Sequence, residues 1–107
     1  MNKNLIKKLN DELRTTFSGG QIIITTQVQL LPAANRNELF CQIKKFNKFT
    51  KANDPYGEHD FGSIEYNGWA YFWKIDYFDI DFLYLSPDPS DSSVTNRVLT
   101  IMRADEY

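Results

Sequence analysis

"FGSIEYNGWAYFWKIDYF", residues 61–78, decides the fold class. Asn67-Gly68 stands between two strand-like runs. Asn-Gly is the strongest short hairpin signal, because a two-residue turn that matches strand twist needs positive φ at both positions. In the second run Trp69, Tyr71, Trp73, Ile75 and Tyr77 alternate with Ala70, Phe72, Lys74 and Asp76. Period-two alternation of aromatic and β-branched residues is the pattern of a half-buried strand. The stretch predicts an antiparallel hairpin.

Downstream, a turn is expected near Phe78-Asp79-Ile80, followed by a further strand over Asp81 to Leu85. "SPDPSDSS" reads as a proline-punctuated loop. Asp91 or Ser90 then caps a last helix bearing Val94, Val98, Ile101 and Met102.

Upstream, "NLIKKLNDELRTTF" places Leu5, Leu9, Leu13 and Phe17 at four-residue steps beside Ile6. That is one apolar stripe of a helix, with Lys7, Lys8, Asp11, Glu12 and Arg14 around it. Ser18-Gly19-Gly20 ends it. "QIIITTQVQL" alternates as a strand buried mainly through Ile22, Ile24, Thr26, Val28 and Leu30, and Pro32 closes it. "NRNELFCQIKKFNKF" opens with Asn35 and Glu38 in capping-box spacing and buries Leu39, Ile43 and Phe46 in a second helix. The order α-β-α-β-β-β-α predicts one α+β domain over residues 1–107. Its core would be a four-stranded, largely antiparallel sheet with about three helices on one face.

Composition narrows the function classes. The single cysteine, Cys41, excludes an intramolecular disulfide and a cysteine-based zinc site, and its helical setting predicts a buried small residue. No apolar run reaches the roughly 20 residues of a membrane helix. "MNKNLIKKLNDELR" carries charges where a signal peptide needs an apolar core, so cytoplasmic residence is expected. Residues 1–53 hold nine Lys/Arg against three Asp/Glu, and residues 54–107 hold three against eleven. Such asymmetry marks either an interaction surface or two halves that pack and neutralise one another.

"NDPYGEHDFG", residues 53–62, is the densest chemical segment. Asp54-Pro55-Tyr56-Gly57 fits a type I turn position by position. Glu58-His59-Asp60 exceeds what a turn requires. On a strand, Glu58 and Asp60 would share a face that His59 opposes, so a metal site needs further ligands from Asp76, Asp79 or Asp81. Oxygen ligands with one imidazole suit manganese or magnesium. Acid–base chemistry would instead use His59. The alternative is a hydrogen-bonded surface turn with no ligand. "DFG" at 60–62 lacks the Gly-rich and catalytic loops of a kinase. Lys44, Lys45, Lys48 and Lys51, interleaved with aromatics, offer a nucleic-acid surface or an ordinary solvated helix face.

Several strings together resemble a family of small bacterial proteins known only as a domain of unknown function, many encoded on plasmids and other mobile elements. They are Asn10-Asp11 with Leu13-Arg14, the decapeptide 53–62, "WKIDYFD" at 73–79, "SPDP" at 86–89 and "TNRVLTIMRADEY" at 95–107. Gln27 departs from the pattern, where glycine is expected. The resemblance implies an intracellular bacterial or phage-derived protein and locates a site without an activity: the loop 53–62, "WKIDYFD" and the start of the last helix. Arg97 is expected to pair with Asp76 or Glu58.

The leading expectation is therefore a non-enzymatic interaction protein. Its acidic, aromatic second half would engage a protein partner through Tyr56, Trp69, Trp73, Asp76, Asp79 and Arg97. An inhibitor or modulator of a host nucleic-acid-handling system is the version the resemblance favours. The second expectation is a small enzyme, acid–base or dependent on a divalent metal, built on Glu58, His59, Asp60 and Asp76. The third is nucleic-acid binding through the lysine-rich second helix.

Overall fold

The Asn-Gly hairpin forms as its sequence requires. Asn67 and Gly68 both take positive φ, 50° and 82°, and join β2 (Phe61–Tyr66) to β3 (Trp69–Phe78) with Tyr66 opposite Trp69. The computed structural model describes residues 2–107. Around the hairpin stand α1 (Lys3–Thr16), β1 (Gln21–Ile24), the short α2 (Thr26–Gln29), α3 (Ala33–Lys44) and β4 (Asn96–Arg103). Single 3-10 turns cover Ser92–Val94 and Ala104–Glu106. Among the described residues the architecture is α+β, with three helices and four strands in the order β1-β4-β3-β2. The sheet is mixed, because β1 runs parallel to β4 while the other pairs are antiparallel.

The helices cover one face. Leu13, Val28, Leu39 and Ile43 pack on Tyr66, Tyr71, Trp73, Ile75, Leu99 and Ile101, with Ile22 and Ile24 at the margin. The opposite face carries Phe61, Phe72, Lys74, Asp76 and Thr100, by strand alternation.

The last helix expected from Val94 to Met102 is instead β4, the strand between β1 and β3. Leu99 and Ile101 point to the helices while Val98 and Met102 point the other way, and all four are buried. A strand buried on both faces reads as a continuous apolar run, and its spacing also satisfies a helical stripe. Asp91 does act as a cap, accepting from the Ser93 N–H at 2.9 Å, but the capped element is only a 3-10 turn.

Strand β1 ends at Ile24 rather than running to Leu30. The Glu106 carboxylate accepts from Thr25 Oγ1 at 2.7 Å and from the Gln27 N–H at 3.0 Å, which gives the first turn of α2 its missing acceptor. Burial alone would raise the Glu106 pKa, yet these bonds and one from the Arg103 N–H hold it below the ordinary glutamate value. Gln27 lies within α2, outside the positive-φ positions, so its backbone conformation does not call for glycine.

No strand forms over Asp81–Leu85. A single bridge, Phe78 to Leu85, closes the base of a protruding loop. Three smaller expectations also change. The buried face of α1 is Ile6, Asn10, Leu13 and Arg14, with Leu5 exposed. Asn35 and Glu38 do not cap α3, which starts after Pro32. They hold the Tyr66 hydroxyl instead, which accepts from Asn35 Nδ2 at 3.0 Å and donates to Glu38 at 2.6 Å. Cys41 is exposed, on the side of α3 away from Leu39 and Ile43.

Candidate functional site

The decapeptide is clasped onto α1. Its turn closes with Gly57 N–H donating to the Asp54 carbonyl at 3.1 Å, as Asp-Pro-Tyr-Gly dictates. The Asp54 side chain is buried and accepts from the N–H groups of Glu58 at 3.0 Å and His59 at 3.1 Å. This bends the chain so that His59 takes φ 55°, an unfavourable value for a side chain with a Cβ. Three contacts hold it there. The imidazole stacks on Phe49 with 3.7 Å between ring centroids and 2° between planes. Nδ1 lies 2.8 Å from Asp11 Oδ1, and Nε2 lies 3.8 Å from Asp54 Oδ2. A carboxylate only accepts, so Nδ1 carries the proton toward Asp11.

Asp11 joins this corner to a second one. The same Oδ1 accepts from Arg14 Nη2 at 3.1 Å. Arg14 is 4% exposed, and its Nη1 reaches the carbonyls of Ile43, Lys44 and Phe46 at 3.2, 3.2 and 2.8 Å. Those carbonyls lie at the C-terminus of α3, where helical oxygens lack partners and the dipole favours a cation. The guanidinium also lies over the rings of Phe49 and Trp73.

The other half of the clasp centres on the Asn10 amide and the Tyr77 phenol. Asn10, fully buried, donates through Nδ2 to the Glu58 carbonyl at 3.0 Å and to Tyr77 Oη at 2.7 Å. Tyr77 Oη donates to the Glu58 carboxylate at 2.8 Å. Asn10 Oδ1 accepts from Arg97 Nε at 2.7 Å, and Arg97 Nη2 donates to the Pro89 carbonyl. Burial pushes the Tyr77 pKa far up, the Asn10 bond opposes this and the Glu58 bond adds to it, so the phenol keeps its proton. Burial pulls Arg97 down, while Tyr77 and Glu58 pull it back.

The structure thus brings Glu58 and His59 into one network but directs them to different partners. Arg97 pairs directly with neither Asp76 nor Glu58; it reaches the latter through Asn10 and Tyr77. Asp76 is bound by Lys74 at 3.1 Å, and Asp79 accepts from the Leu83 N–H at 3.0 Å. Among the described residues no three His, Cys, Asp or Glu side chains meet as metal ligands. The lysines fall in different places as well. Only Lys44 belongs to α3, where its Nζ lies 4.4 Å from the Phe17 ring centroid, and Lys45, Lys48 and Lys51 come after the helix. Of the expected partner anchors, Trp73 and Arg97 are buried and closed to a partner, whereas Tyr56 and Trp69 are exposed. Among the described ion pairs, none joins a Lys or Arg of residues 1–53 to an acid of residues 54–107. Asp11 with His59 is the bridge between halves.

Asn10, Asp11, Arg14 and Tyr77 fall in the strings that carried the resemblance, but sequence reading assigned none of them a role in the site. Asn10 and Arg14 stand four apart on α1, in line with Ile6 and beside Leu13. Two polar residues on that line are the signal of a helix face that buries hydrogen-bonding groups.

Asp60 differs from its neighbours. It is half-buried, and burial first, then the charges of Glu58, Asp54 and Asp76, raise its pKa above the ordinary aspartate value. A raised pKa means the ionised carboxyl disfavours the folded state at neutral pH. Asp60→Asn is therefore expected to raise the thermal midpoint at pH 7. The gain should shrink as pH falls through the folded-state pKa and vanish below the unfolded one. Melting curves at pH 7 and pH 3.5 check this, and a midpoint lowered at pH 7 would contradict it.

Among the described residues no helix is long and apolar enough to cross a membrane. No curated protein and no solved structure matches this chain. Residues 24–106 match a family throughout, from the end of β1 across the decapeptide to the Glu106 clamp, and the chain belongs to that family, described as "Protein of unknown function (DUF3768)".

Proposed function

We propose that the chain is an interaction protein that docks on a protein partner through the loop 79–85. One observation carries this reading. Ile80, Phe82, Leu83, Tyr84 and Leu85 are each between 44% and 77% exposed, within six consecutive positions. A single exposed leucine carries no information, but a contiguous apolar patch does.

The loop is held in shape. Asp79 N–H donates to the Tyr84 carbonyl at 2.8 Å, and Phe82 N–H donates to the Asp79 carbonyl at 3.1 Å. Asn96 Nδ2 donates to the carbonyls of Asp79 and Ile80 at 3.1 and 2.9 Å. A preordered tip loses less entropy on binding. Asp79 and Asp81 lie within it, and Asp88 and Asp91 come shortly after, so the complementary partner has an apolar pocket with a basic rim. Proteins that handle nucleic acid present such basic surfaces to phosphate. A mobile-element modulator of a host nucleic-acid-handling system is the finer form of this proposal.

The decapeptide then serves as a clasp. Its carboxylates and imidazole are engaged with α1 and β3, which favours a positioning role over acid–base work on a substrate.

Affinity capture from bacterial lysate, with nuclease and at two salt concentrations, tests the proposal. A near-stoichiometric protein should be retained by the native chain, weakened by salt, and lost at least tenfold from Leu83→Asp/Tyr84→Asp, with unchanged melting. Equal retention by that variant, or recovery of nucleic acid alone, would overturn it.

A further inference from the structure

Strand β2 is an edge of the sheet, paired with β3 on one side only. The Ile75 N–H donates to the Asp60 carbonyl at 2.8 Å, which sets the parity of the ladder. In an antiparallel pair hydrogen-bonded and non-bonded positions alternate, so Gly62, Ile64 and Tyr66 turn their backbone groups to β3. Phe61, Ser63 and Glu65 turn theirs outward. Edges of this kind are commonly blunted by proline, lysine or a bulge. "FGSIEY" contains neither residue, and its register with β3 is unbroken. The other edge, β1, has only four residues and gives way to α2.

Beside the β2 edge lies a cleft of about 570 Å³. Its wall is Gln42, Lys45, Phe46, Asn47 and Lys48, and Ser63, Ile64 and Glu65 form its strand side. Among the described ion pairs neither Lys45 nor Lys48 has a carboxylate partner. By strand alternation Ile64 faces the helix side with these lysines, while Glu65 faces the other side of the sheet, so the lysines set the sign of the cleft.

We infer that the β2 edge and this cleft together bind an extended acidic peptide segment of a partner protein, which adds to the sheet as a fifth strand. The free backbone groups of Phe61, Ser63 and Glu65 supply ladder bonds, which are independent of sequence. Specificity comes from alternate side chains. Those directed to the helix side meet Phe46 and Ile64 as an apolar floor and Lys45 and Lys48 as cations, so the fitting peptide carries its acidic and apolar residues at every second position, on that one face. The site uses none of the residues of the 79–85 loop and stands or falls separately from the reading above.

The test pans a random heptapeptide display library on the purified full chain, with oligothymidylate as a competing probe. Enriched peptides should carry Asp or Glu at alternate positions. A synthetic copy of one should slow amide exchange at Phe61, Ser63 and Glu65. Lys45→Glu/Lys48→Glu, both exposed, should weaken it roughly tenfold or more while Leu83→Asp/Tyr84→Asp leaves it unchanged. Ser63→Pro removes an outward N–H without touching the ladder to β3, and should abolish binding. Should that variant misfold, the lysine pair decides. Failure to enrich, enrichment without acidic residues, protection elsewhere, or displacement of every peptide by oligothymidylate at the lysines would overturn the inference.

Discussion

Gly62→Ala is expected to lower stability by about 3 kcal/mol, at the upper end for overpacking a well-filled core. The cause is steric, since Gly62 is not among the positive-φ positions. An added Cβ would meet Trp73 Nε1, and would stand 2.6 Å from Trp73 Cε2 and 2.8 Å from Phe46 Cζ. Trp73 is fully buried between the edges of Phe46 and Phe49 and the guanidinium of Arg14, so it has nowhere to retreat. Relief would come from peeling β2 off β3, which opens the sheet. Urea unfolding measures the loss. A Gly62→Ala/Trp73→Phe double mutant should recover part of it, because the smaller ring vacates the contested space. A loss under about 0.5 kcal/mol would show that the edge strand moves aside without cost.

Arg14→Met is the second large effect, expected to cost about 3 kcal/mol. Methionine keeps the apolar stem, so the change isolates the guanidinium. Nη1 has two hydrogens for three carbonyls, so those bonds are shared and do not add as three. Their loss takes the guanidinium from the Lys44 and Phe46 carbonyls, while the Ile43 carbonyl keeps the Phe46 N–H at 3.1 Å, and Asp11 loses a cation at the same time. The loosening should spread to the decapeptide, because Asp11 Oδ1 also anchors His59. Amide exchange at Glu58 and His59, whose N–H groups rest on Asp54, should then quicken along with the fall in stability. A loss below about 1 kcal/mol, with exchange unchanged, would mean that water replaces the guanidinium adequately.

Local chemistry was legible in the sequence. Asn67-Gly68 and Asp54-Pro55-Tyr56-Gly57 specify their turns through their own backbone preferences, and no distant residue has to agree. The helix over residues 3–16 likewise arises from periodicity, although rotation of α1 by one position exchanged Leu5 for Asn10 and Arg14 as buried groups; that over 33–44 buries only Leu39 and Ile43, and Phe46 lies beyond its end. The elements misread depend on remote partners. Residues 26–29 turn helical under a carboxylate some eighty positions away. Val98 to Met102 are a strand because two other strands flank them. Residues 81–85 were expected to form a strand, and the exposure of Ile80 to Leu85 in a loop instead is where the proposed function resides. The decapeptide's polar residues were visible, but their partners on α1 were not, since no spacing rule links position 59 to position 11.

The order of strands in the sheet has a consequence for how the chain comes into being. β4 lies between β1 and β3, yet it is synthesised after the other three. Emerging from the ribosome, β2 and β3 can pair at once, but β1 has no neighbour until residues 96–103 appear. Until then Ile22 and Ile24 lack the strand that covers them, and α1 and α3 have only half a sheet to rest on. Parallel pairing of distant segments is slow to form and leaves apolar surface open meanwhile. A nascent chain cut short before β4 would be two unfinished pieces, open to chaperones and proteases. Closure of the sheet therefore waits on residues 96–103, because the second strand in space is the last in time.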